Sequence, residues 1–506
     1  MNSPPEYKDL IDRYRLIDVQ TANAGFYALQ CTAWLLRSPM ECILLGYLYK
    51  RGAGVLGSLN KAAYLFQMMA DLDHPLAQYN LASILIDETA KESKDKAIAL
   101  FQKAADQGSA EAMRDLGMCY ILGNGVAKDI QIARSFLESA VERGDTQSLF
   151  FLATLLKEHV IEKEPEQRSK VISLFQRAAE LGHASSTFEL AQIFRFGRLG
   201  FEKDWPKAFG LIQASAMQGH PPALLLLGQI FEAGESVEKD TKRALSLYQA
   251  AASLGDPDAV LHLAMTIAEG KITPRDLKKV TALYQVAAQK GHPVAQWMLG
   301  RLYEEGIEVE LNINKAISLY EASADQNFPP AQYRLGNCYW YGIGIPQDRE
   351  RARGLIQAAA DADLPEALDR MAWILYLDSE ITKSLQLFQR AADLGHAESQ
   401  CSLGEIYLKG EVTDQYSKEK GLQLIRQASD QGLPRARTGL GALYLKGEYL
   451  EKDNKKAAEM FFFGALKGYD RACKCMGLMY TSGEILPCDS AKATVWLKAA
   501  EESSGE

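Results

Sequence analysis

Histidine is the side chain best suited to metal binding or to proton transfer near neutral pH, and this 506-residue chain has seven. Two of them, His159 and His262, lie more than two repeats apart. The other five each follow a glycine or an aspartate at one position of a repeat, which predicts an architectural role: His74, His183, His220, His292 and His396. The chain has no His-Glu-x-x-His motif and no Cys-x-x-Cys pair. The histidines therefore predict neither a metal site nor a catalytic centre.

One glycine-rich stretch, Gly52-Ala-Gly54-Val-Leu-Gly57, has the spacing of a dinucleotide-binding loop. Such a loop binds pyrophosphate only where it joins a strand to a helix in a βαβ unit. Here it joins two predicted helices, and similar Gly-x-Gly stretches recur in other repeats. The pair Cys473 and Cys475 also lies within a predicted helix, where small side chains fill a core. The sequence thus predicts no cofactor and no enzyme.

A helical repeat of about 36 residues positions all of these side chains. Each repeat has an apolar anchor, Leu or Met, and the next residue is Gly in eight repeats and Ala in five. Small or apolar residues four positions before and after the anchor complete one packing stripe on a helix. Glycine inside a helix costs about 1 kcal/mol relative to alanine. Its recurrence therefore predicts the close approach of a second helix.

The second helix of each repeat is marked at both ends. Aspartates such as Asp240 and Asp348 stand at its predicted N-cap, and Gly, Asn or Asp follows its last turn. We therefore predict an all-α fold, a right-handed α/α superhelical solenoid of about 13 helix-turn-helix repeats. The predicted repeats occupy residues 37–503 and begin near positions 37, 73, 108, 144, 182, 219, 255, 291, 327, 363, 395, 432 and 468. Residues 1–36 are predicted to form a divergent N-terminal helical cap, and residues 504–506 a polar tail.

Composition limits the classes of partner. The chain has 56 basic and 65 acidic residues, a net charge of −9, which does not favour nucleic-acid binding. No apolar run is long enough to span a bilayer, and no secretory leader is apparent, so we predict a cytoplasmic protein without membrane insertion. Eight scattered cysteines indicate reduced thiols rather than a disulfide scaffold. Secretion without a leader would leave no mark in the sequence.

The repeat resembles the Sel1-like repeat family, a branch of the tetratricopeptide-like solenoids. The family signature is an Ala, three residues, Leu-Gly, two residues, Tyr, two residues and Gly-x-Gly-Val. The stretch from Ala112 to Val126 follows it throughout, and the stretch from Ala331 to Ile345 does so almost as well. The repeats that begin near 73, 144 and 363 lack the Gly-x-Gly loop. The regular cysteine pair of the disulfide-rich secreted branch is absent.

The resemblance implies a non-enzymatic scaffold or adaptor that binds another protein or a peptide on a concave face. In bacteria it also implies regulators, secreted host-interaction factors and immunity proteins that neutralise a toxin or effector, and these alternatives stay open. A further alternative is an enzyme that uses scattered residues of the inner face. The sequence leaves the partner's identity and the oligomeric state open.

By analogy with tetratricopeptide arrays, the first helix of each repeat lines the inner face. Three adjacent repeats there hold three of the six tryptophans. The predicted partner-binding residues are Trp297, Arg301, Tyr333, Asn337, Trp340, Tyr341, Trp373 and Tyr376. Trp, Tyr and Arg are the residue types that most often dominate interface energetics. The alternative is that Tyr333 and Trp340 only pack against neighbouring repeats.

Overall fold

The structure, a computed structural model, describes residues 39–52, 57–159, 165–270, 275–410 and 417–503. These ranges contain 26 helices and no strand. The helices follow one another in pairs, so the predicted all-α solenoid of about 13 helix-turn-helix repeats is confirmed. The predicted N-terminal cap at 1–36 and the tail at 504–506 lie outside the described residues.

The chain divides into two compact halves, Met1–Leu254 and Gly255–Glu506. We call the first helix of each repeat the A helix and the second the B helix. The N-terminal half contains α1 Pro39–Arg51, α2 Leu59–Ala70, α3 Pro75–Leu85, α4 Lys91–Asp106, α5 Ala110–Leu122, α6 Ile130–Glu142, α7 Thr146–His159, α8 Pro165–Glu180, α9 Ala184–Phe196, α10 Trp205–Met217, α11 Pro221–Ala233 and α12 Thr241–Ser253.

The C-terminal half continues the same alternation of A and B helices. It contains α13 Pro257–Glu269, α14 Leu277–Gln289, α15 Pro293–Glu305, α16 Ile313–Ala324, α17 Pro329–Tyr341, α18 Arg349–Asp361, α19 Pro365–Leu377, α20 Ile381–Asp393, α21 Ala397–Lys409, α22 Ser417–Asp430, α23 Pro434–Lys446, α24 Asn454–Leu466, α25 Asp470–Ser482 and α26 Ser490–Ser503.

Side-chain caps begin many of the B helices. The Asp240 carboxylate accepts a hydrogen bond from the Arg243 N–H at 2.9 Å, and the Asn312 side chain accepts one from Lys315 N–H at 3.0 Å. Each cap satisfies one of the four N–H groups that have no partner within the helix. At the opposite end, α18 is followed by Asp363 with a φ of 59°, in the left-handed region that favours glycine. In these helices, such local signals mark where the helix begins and ends.

The core of each repeat lies between its A and B helices. The recurring small residue after the anchor allows this contact: a Cβ on Gly300 would lie 2.6 Å from Cε1 of Tyr320 on the paired B helix. The close helix approach predicted from the glycine pattern is therefore confirmed. Tyr320 is fully buried, as are Phe66, Phe175 and Phe388 at the corresponding face of other B helices. Burial of each such side chain contributes about 1.5–3 kcal/mol.

The recurring histidines begin A helices. In three of them the imidazole Nδ1 accepts a hydrogen bond from a backbone N–H three residues later. His183 accepts from Ser186 at 3.2 Å, His292 from Ala295 at 3.4 Å, and His396 from Ser399 at 3.3 Å. His74 and His220 also occupy N-cap positions, without a side-chain cap. The architectural role predicted for this position is confirmed, because the imidazole or its backbone forms the start of the helix.

We expect replacement of His183 by asparagine to change how stability depends on pH. Burial lowers the pKa of the His183 imidazole, so the neutral, capping form is favoured in the folded protein. The stability that the His183 cap gives the folded protein is fully present above the ordinary imidazole pKa of about 6.5. It is lost as the pH falls through the lower pKa that this imidazole has in the folded state. Asparagine caps at either pH. The melting temperature of His183→Asn minus that of the wild type should therefore be larger at about pH 5 than at about pH 7.5.

A matched control is Ser109→Asn, because the Ser109 hydroxyl caps α5 by accepting from the Ala112 N–H at 3.2 Å and does not titrate. The difference in melting temperature between this variant and the wild type should be the same at both pH values. If the melting-temperature difference between His183→Asn and the wild type is also the same at both pH values, the His183 cap does not respond to pH.

Candidate functional site

The predicted partner-binding residues lie on three consecutive A helices, α15, α17 and α19 of the C-terminal half. Each begins with a proline, Pro293, Pro329 or Pro365, whose fixed φ suits the first turn of a helix. Their apolar stripes face the B helices, so the remaining faces display the polar and aromatic side chains. We call the surface formed by the faces of α15, α17 and α19 opposite that stripe the A-helix surface.

On α15, Trp297 is half-buried and packs edge-on against Phe328, with the ring centroids 5.8 Å apart. Phe328 is the N-cap residue of the next A helix, so Trp297 contributes to packing between repeats. Arg301 is exposed; its guanidinium carbon lies 5.6 Å from the centre of the Trp297 ring, and its Nη2 forms an ion pair with Glu305 at 2.9 Å. Of the two predicted residues on this helix, Arg301 is the accessible one.

On α17, exposure differs sharply between neighbouring residues. Tyr333, Asn337 and Trp340 are half-buried, whereas Tyr341 is 59% exposed. Trp340 packs against the cores of two successive repeats, and Tyr333 packs against the second of these. Packing between repeats, the alternative considered for Tyr333 and Trp340, is therefore present. Tyr341 is therefore the exposed aromatic side chain of α17.

On α19, Trp373 is half-buried and Leu377 at the end of the helix is 77% exposed. The Trp373 ring contacts Tyr376 and the fully buried Phe388, edge to face, at centroid distances of 5.6 and 5.3 Å. The indole is thus fixed by the core of its own repeat. Tyr376 is half-buried beside it, and Leu377 provides the exposed apolar surface.

A residue absent from the sequence prediction, Arg370 of α19, connects α19 to α17. Its guanidinium carbon lies 5.1 Å from the centre of the Trp340 ring and 5.0 Å from that of Tyr341. We call Arg370, Trp340 and Tyr341 the Arg370 clamp. A cation over an aromatic face is stabilised by about 0.5–1 kcal/mol or more when it is shielded from water. The structure therefore brings Trp340 and Tyr341 together with Arg370, whereas Trp297 and Trp373 pack against other rings.

Glu304 of α15 is also committed to contacts within the fold. Its carboxylate accepts a hydrogen bond from the buried Tyr320 hydroxyl at 2.7 Å and two from Arg334 of the next A helix, both at 2.9 Å. Burial, and then the bond to Glu304, raises the pKa of Tyr320 well above its ordinary value. The hydroxyl of Tyr248 is bonded to Glu232 in the same way at 2.6 Å in the N-terminal half. Glu304 therefore has a structural role that recurs along the chain.

We expect Glu304→Ala to lower the free energy of unfolding by about 2 kcal/mol, because it leaves a buried hydroxyl and a guanidinium without their acceptor. The measurement is urea denaturation followed by circular dichroism. The control is Glu305→Ala, since the neighbouring side chain is 40% exposed against 13% for Glu304 and, among the described residues, forms an ion pair with Arg301 alone. The control should change stability by less than about 0.5 kcal/mol. Equal losses in both variants would contradict the structural role of Glu304.

A pattern in the sequence could have revealed Arg370. The fifth residue after the anchor of one repeat lies beside the residue before the anchor of the next. Lys157 and Glu189 form an ion pair at 2.7 Å in this relation, as do Glu304 and Arg334. Trp340 and Arg370 occupy the same two positions. Comparing successive repeats at this offset would have placed the arginine against the tryptophan.

The described ranges give no sign of a catalytic or metal centre on these helices. Within them, no group of three or more His, Cys, Asp or Glu side chains is placed to hold a metal ion. Cys473 is fully buried, its thiol donates to the Ala465 carbonyl at 3.7 Å, and burial raises its pKa. It is a core side chain, as predicted. No helix in the described part of the chain has the length and apolar character needed to cross a membrane.

Tandem pairs of helices that share one core per repeat define an α/α-solenoid repeat protein. The Sel1 repeat model matches most of the chain, and the chain therefore belongs to the Sel1 repeat family. The matched residues are 42–74, 75–109, 110–145, 172–183, 184–220, 221–256, 257–292, 293–328, 329–364, 365–396, 397–433 and 434–469. The resemblance drawn from the repeat signature is confirmed.

A solved structure of a protective antigen present in uropathogenic Escherichia coli strains, described as an SLR fold, is similar over 95% of this chain and 93% of that one, with a TM-score of 0.52 and 23% identity. Among curated proteins, chitin synthase regulatory factor 3 of Schizosaccharomyces pombe is 27% identical over 32% of this chain. The DAP3-binding cell death enhancer 1 of Rattus norvegicus is 28% identical over 27% of it. The aligned parts span only 18% and 33% of these two relatives.

Proposed function

We propose that this chain is a non-enzymatic scaffold or adaptor that binds a partner protein or peptide on the A-helix surface of α15, α17 and α19. Sel1 repeat proteins are generally protein-interaction scaffolds, and their solenoid fold is typically non-catalytic. The observation that carries the proposal is the exposure of Tyr341 on α17 and Leu377 on α19, together with Arg370 of α19, whose guanidinium carbon lies 5.1 and 5.0 Å from the centres of the Trp340 and Tyr341 rings. Exposed aromatic and apolar side chains next to arginine are the composition of an interface centre.

Rigidity of this surface supports the proposal. Trp340 and Trp373 are anchored in the cores of their repeats, so the exposed neighbours Tyr341 and Leu377 project from a fixed base. A surface that is already ordered loses less conformational entropy on binding. The half-buried tryptophans therefore hold the A-helix surface in place, and the exposed side chains contact the partner.

The relatives and the charge of the chain support a protein partner. One similar protein is named as a regulatory factor of chitin synthase and another as DAP3-binding, and both names refer to another protein. With 65 acidic against 56 basic residues, the net charge of −9 also does not favour a nucleic-acid partner.

The experiment is affinity capture with the tagged full chain, with captured proteins quantified by mass spectrometry. The wild type is compared with the Tyr341→Ala, Leu377→Ala double variant, which removes exposed side chains and leaves Trp340 and Trp373 in the core. We expect a defined protein to be enriched by the wild type and depleted by the double variant. Equal enrichment by both would show that the A-helix surface does not hold the partner.

A further inference from the structure

The three A helices of the proposed surface each carry an arginine, and these differ in their partners. Arg301 forms an ion pair with Glu305 at 2.9 Å, and Arg334 one with Glu304 at 2.9 Å. Arg370 forms no ion pair with any carboxylate of the described residues, and its Nε atom is buried without a hydrogen-bond partner. Two of the three positive charges are thus neutralised within the fold, and the third is not.

The acidic residue next to Arg370 in the chain, Asp369, forms no ion pair with it and has its hydrogen bond elsewhere. The Asp369 carboxylate accepts a hydrogen bond from the Ser399 hydroxyl at 2.6 Å and lies 3.9 Å from His396 Nδ1, on the side of the following repeat. A second arginine, Arg349, has its guanidinium carbon 5.7 Å from the Trp340 ring and also forms no ion pair within the described part of the chain. Two arginines thus lie near the Trp340 ring, and neither forms an ion pair with a described carboxylate.

The orientation and surroundings of the Arg370 guanidinium favour binding of a planar anion. The Trp340 and Tyr341 rings fix the direction of the guanidinium and shield part of it from water, and a partly desolvated charge attracts an opposite charge more strongly. The guanidinium fork matches the two oxygens of a carboxylate and can donate two parallel hydrogen bonds. The exposed Tyr341 ring offers apolar contact at the same point. Leu377, two turns further along α19 on the same helix face, adds a second exposed apolar side chain.

We infer that the Arg370 clamp binds the carboxylate of an aspartate or glutamate side chain in an acidic peptide segment of the partner, with apolar residues of that segment against Tyr341 and Leu377. This inference rests on the proposed function, since it states the chemistry of the segment that the A-helix surface takes. Arg349 adds long-range attraction for the same segment. Acidic residues that alternate with apolar ones match this arrangement of charge and apolar surface.

The test uses the full chain and a fluorescein-labelled peptide of four Gly-Glu-Leu triplets with blocked termini, in fluorescence anisotropy. A second peptide has Gln in place of Glu. We expect the wild type to bind the Glu peptide at least about tenfold more tightly than the Gln peptide, because a charged bidentate pair is lost. Arg370→Gln should bind both peptides equally weakly. Arg370→Lys should fall between the two, since it keeps the charge without the fork.

The control is Arg390→Gln, which removes the same charge from an arginine that pairs with Asp363 away from the clamp. It should bind the Glu peptide as the wild type does. No measurable binding of the Glu peptide, equal binding of the two peptides by the wild type, or equal losses in Arg370→Gln and Arg390→Gln would each overturn the inference. The comparison of the two peptides needs no variant, so it holds even if Arg370→Gln folds poorly.

Failure of the inference and failure of the proposed function give different results. If Tyr341→Ala, Leu377→Ala loses the captured partner while Arg370→Gln retains it, the surface binds the partner but the clamp does not take its carboxylate. If all these variants capture the partner as the wild type does, the proposed function itself fails.

Discussion

Replacing Gly404 by valine is expected to lower the free energy of unfolding by about 3 kcal/mol. Gly404 follows the apolar anchor Leu403 in α21, at the contact with its B helix α22. A Cβ at this position would lie 2.7 Å from Cγ1 of Ile425 and 2.8 Å from the carbonyl oxygen of Gly421. The isoleucine side chain can move, but the carbonyl belongs to the backbone of α22, so the two helices must separate. Separation loses close packing along the whole pair.

The matched control is Gly439→Ala in α23, because a Cβ on that helical glycine meets nothing within 4 Å. Alanine there removes the entropic cost of glycine in a helix and should raise stability by about 0.5–1 kcal/mol. Thermal and urea denaturation, followed by circular dichroism, measure both variants. Opposite signs are expected for the two substitutions. A Gly404→Val variant as stable as the wild type would show that the A and B helices are not packed as closely as the structure has them.

The Tyr341→Ala, Leu377→Ala double variant is expected to weaken binding of the purified captured partner by about 2–3 kcal/mol, which corresponds to a Kd about 30- to 150-fold higher. Both side chains are largely exposed in the free chain and would be desolvated in the complex. Isothermal titration calorimetry measures the change. The melting temperature should stay close to that of the wild type, since neither side chain belongs to a core.

The control for this prediction removes two equally exposed large side chains from B helices of the N-terminal half. Tyr64 of α2 is 67% exposed and Met217 at the end of α10 is 85% exposed. The Tyr64→Ala, Met217→Ala variant should bind the partner with the wild-type Kd. If this variant loses as much affinity as the Tyr341→Ala, Leu377→Ala variant, exposed apolar surface in general, rather than the A-helix surface, determines binding.

The sequence predicted the parts of the fold that depend on local signals. The anchor followed by a small residue predicted the helix contact seen between Gly300 and Tyr320. The recurring histidines predicted an architectural position, which the structure shows to be the start of A helices. Both features recur with the repeat, so each copy reinforced the interpretation. Periodicity within one helix was sufficient for these conclusions.

The candidate site was harder to predict because its chemistry lies between repeats. Whether Trp297 is accessible depends on Phe328 of the next repeat, and the environment of Trp340 depends on Arg370. A pattern within one helix distinguishes the buried stripe from the opposite face, but it does not predict which side chains at the border between them are exposed. Tyr341 and Trp340 are adjacent in the chain, yet one is exposed and the other packs against two cores.

Hydrogen–deuterium exchange of the full chain with and without its captured partner tests most directly whether the A-helix surface is the binding site. Peptides from 293–305, 329–341 and 365–377 are expected to exchange more slowly in the complex, while peptides from the paired B helices 313–324 and 349–361 change little. Slower exchange confined to B helices, or to residues 39–254 of the N-terminal half, with no change in α15, α17 and α19, would contradict the proposed site.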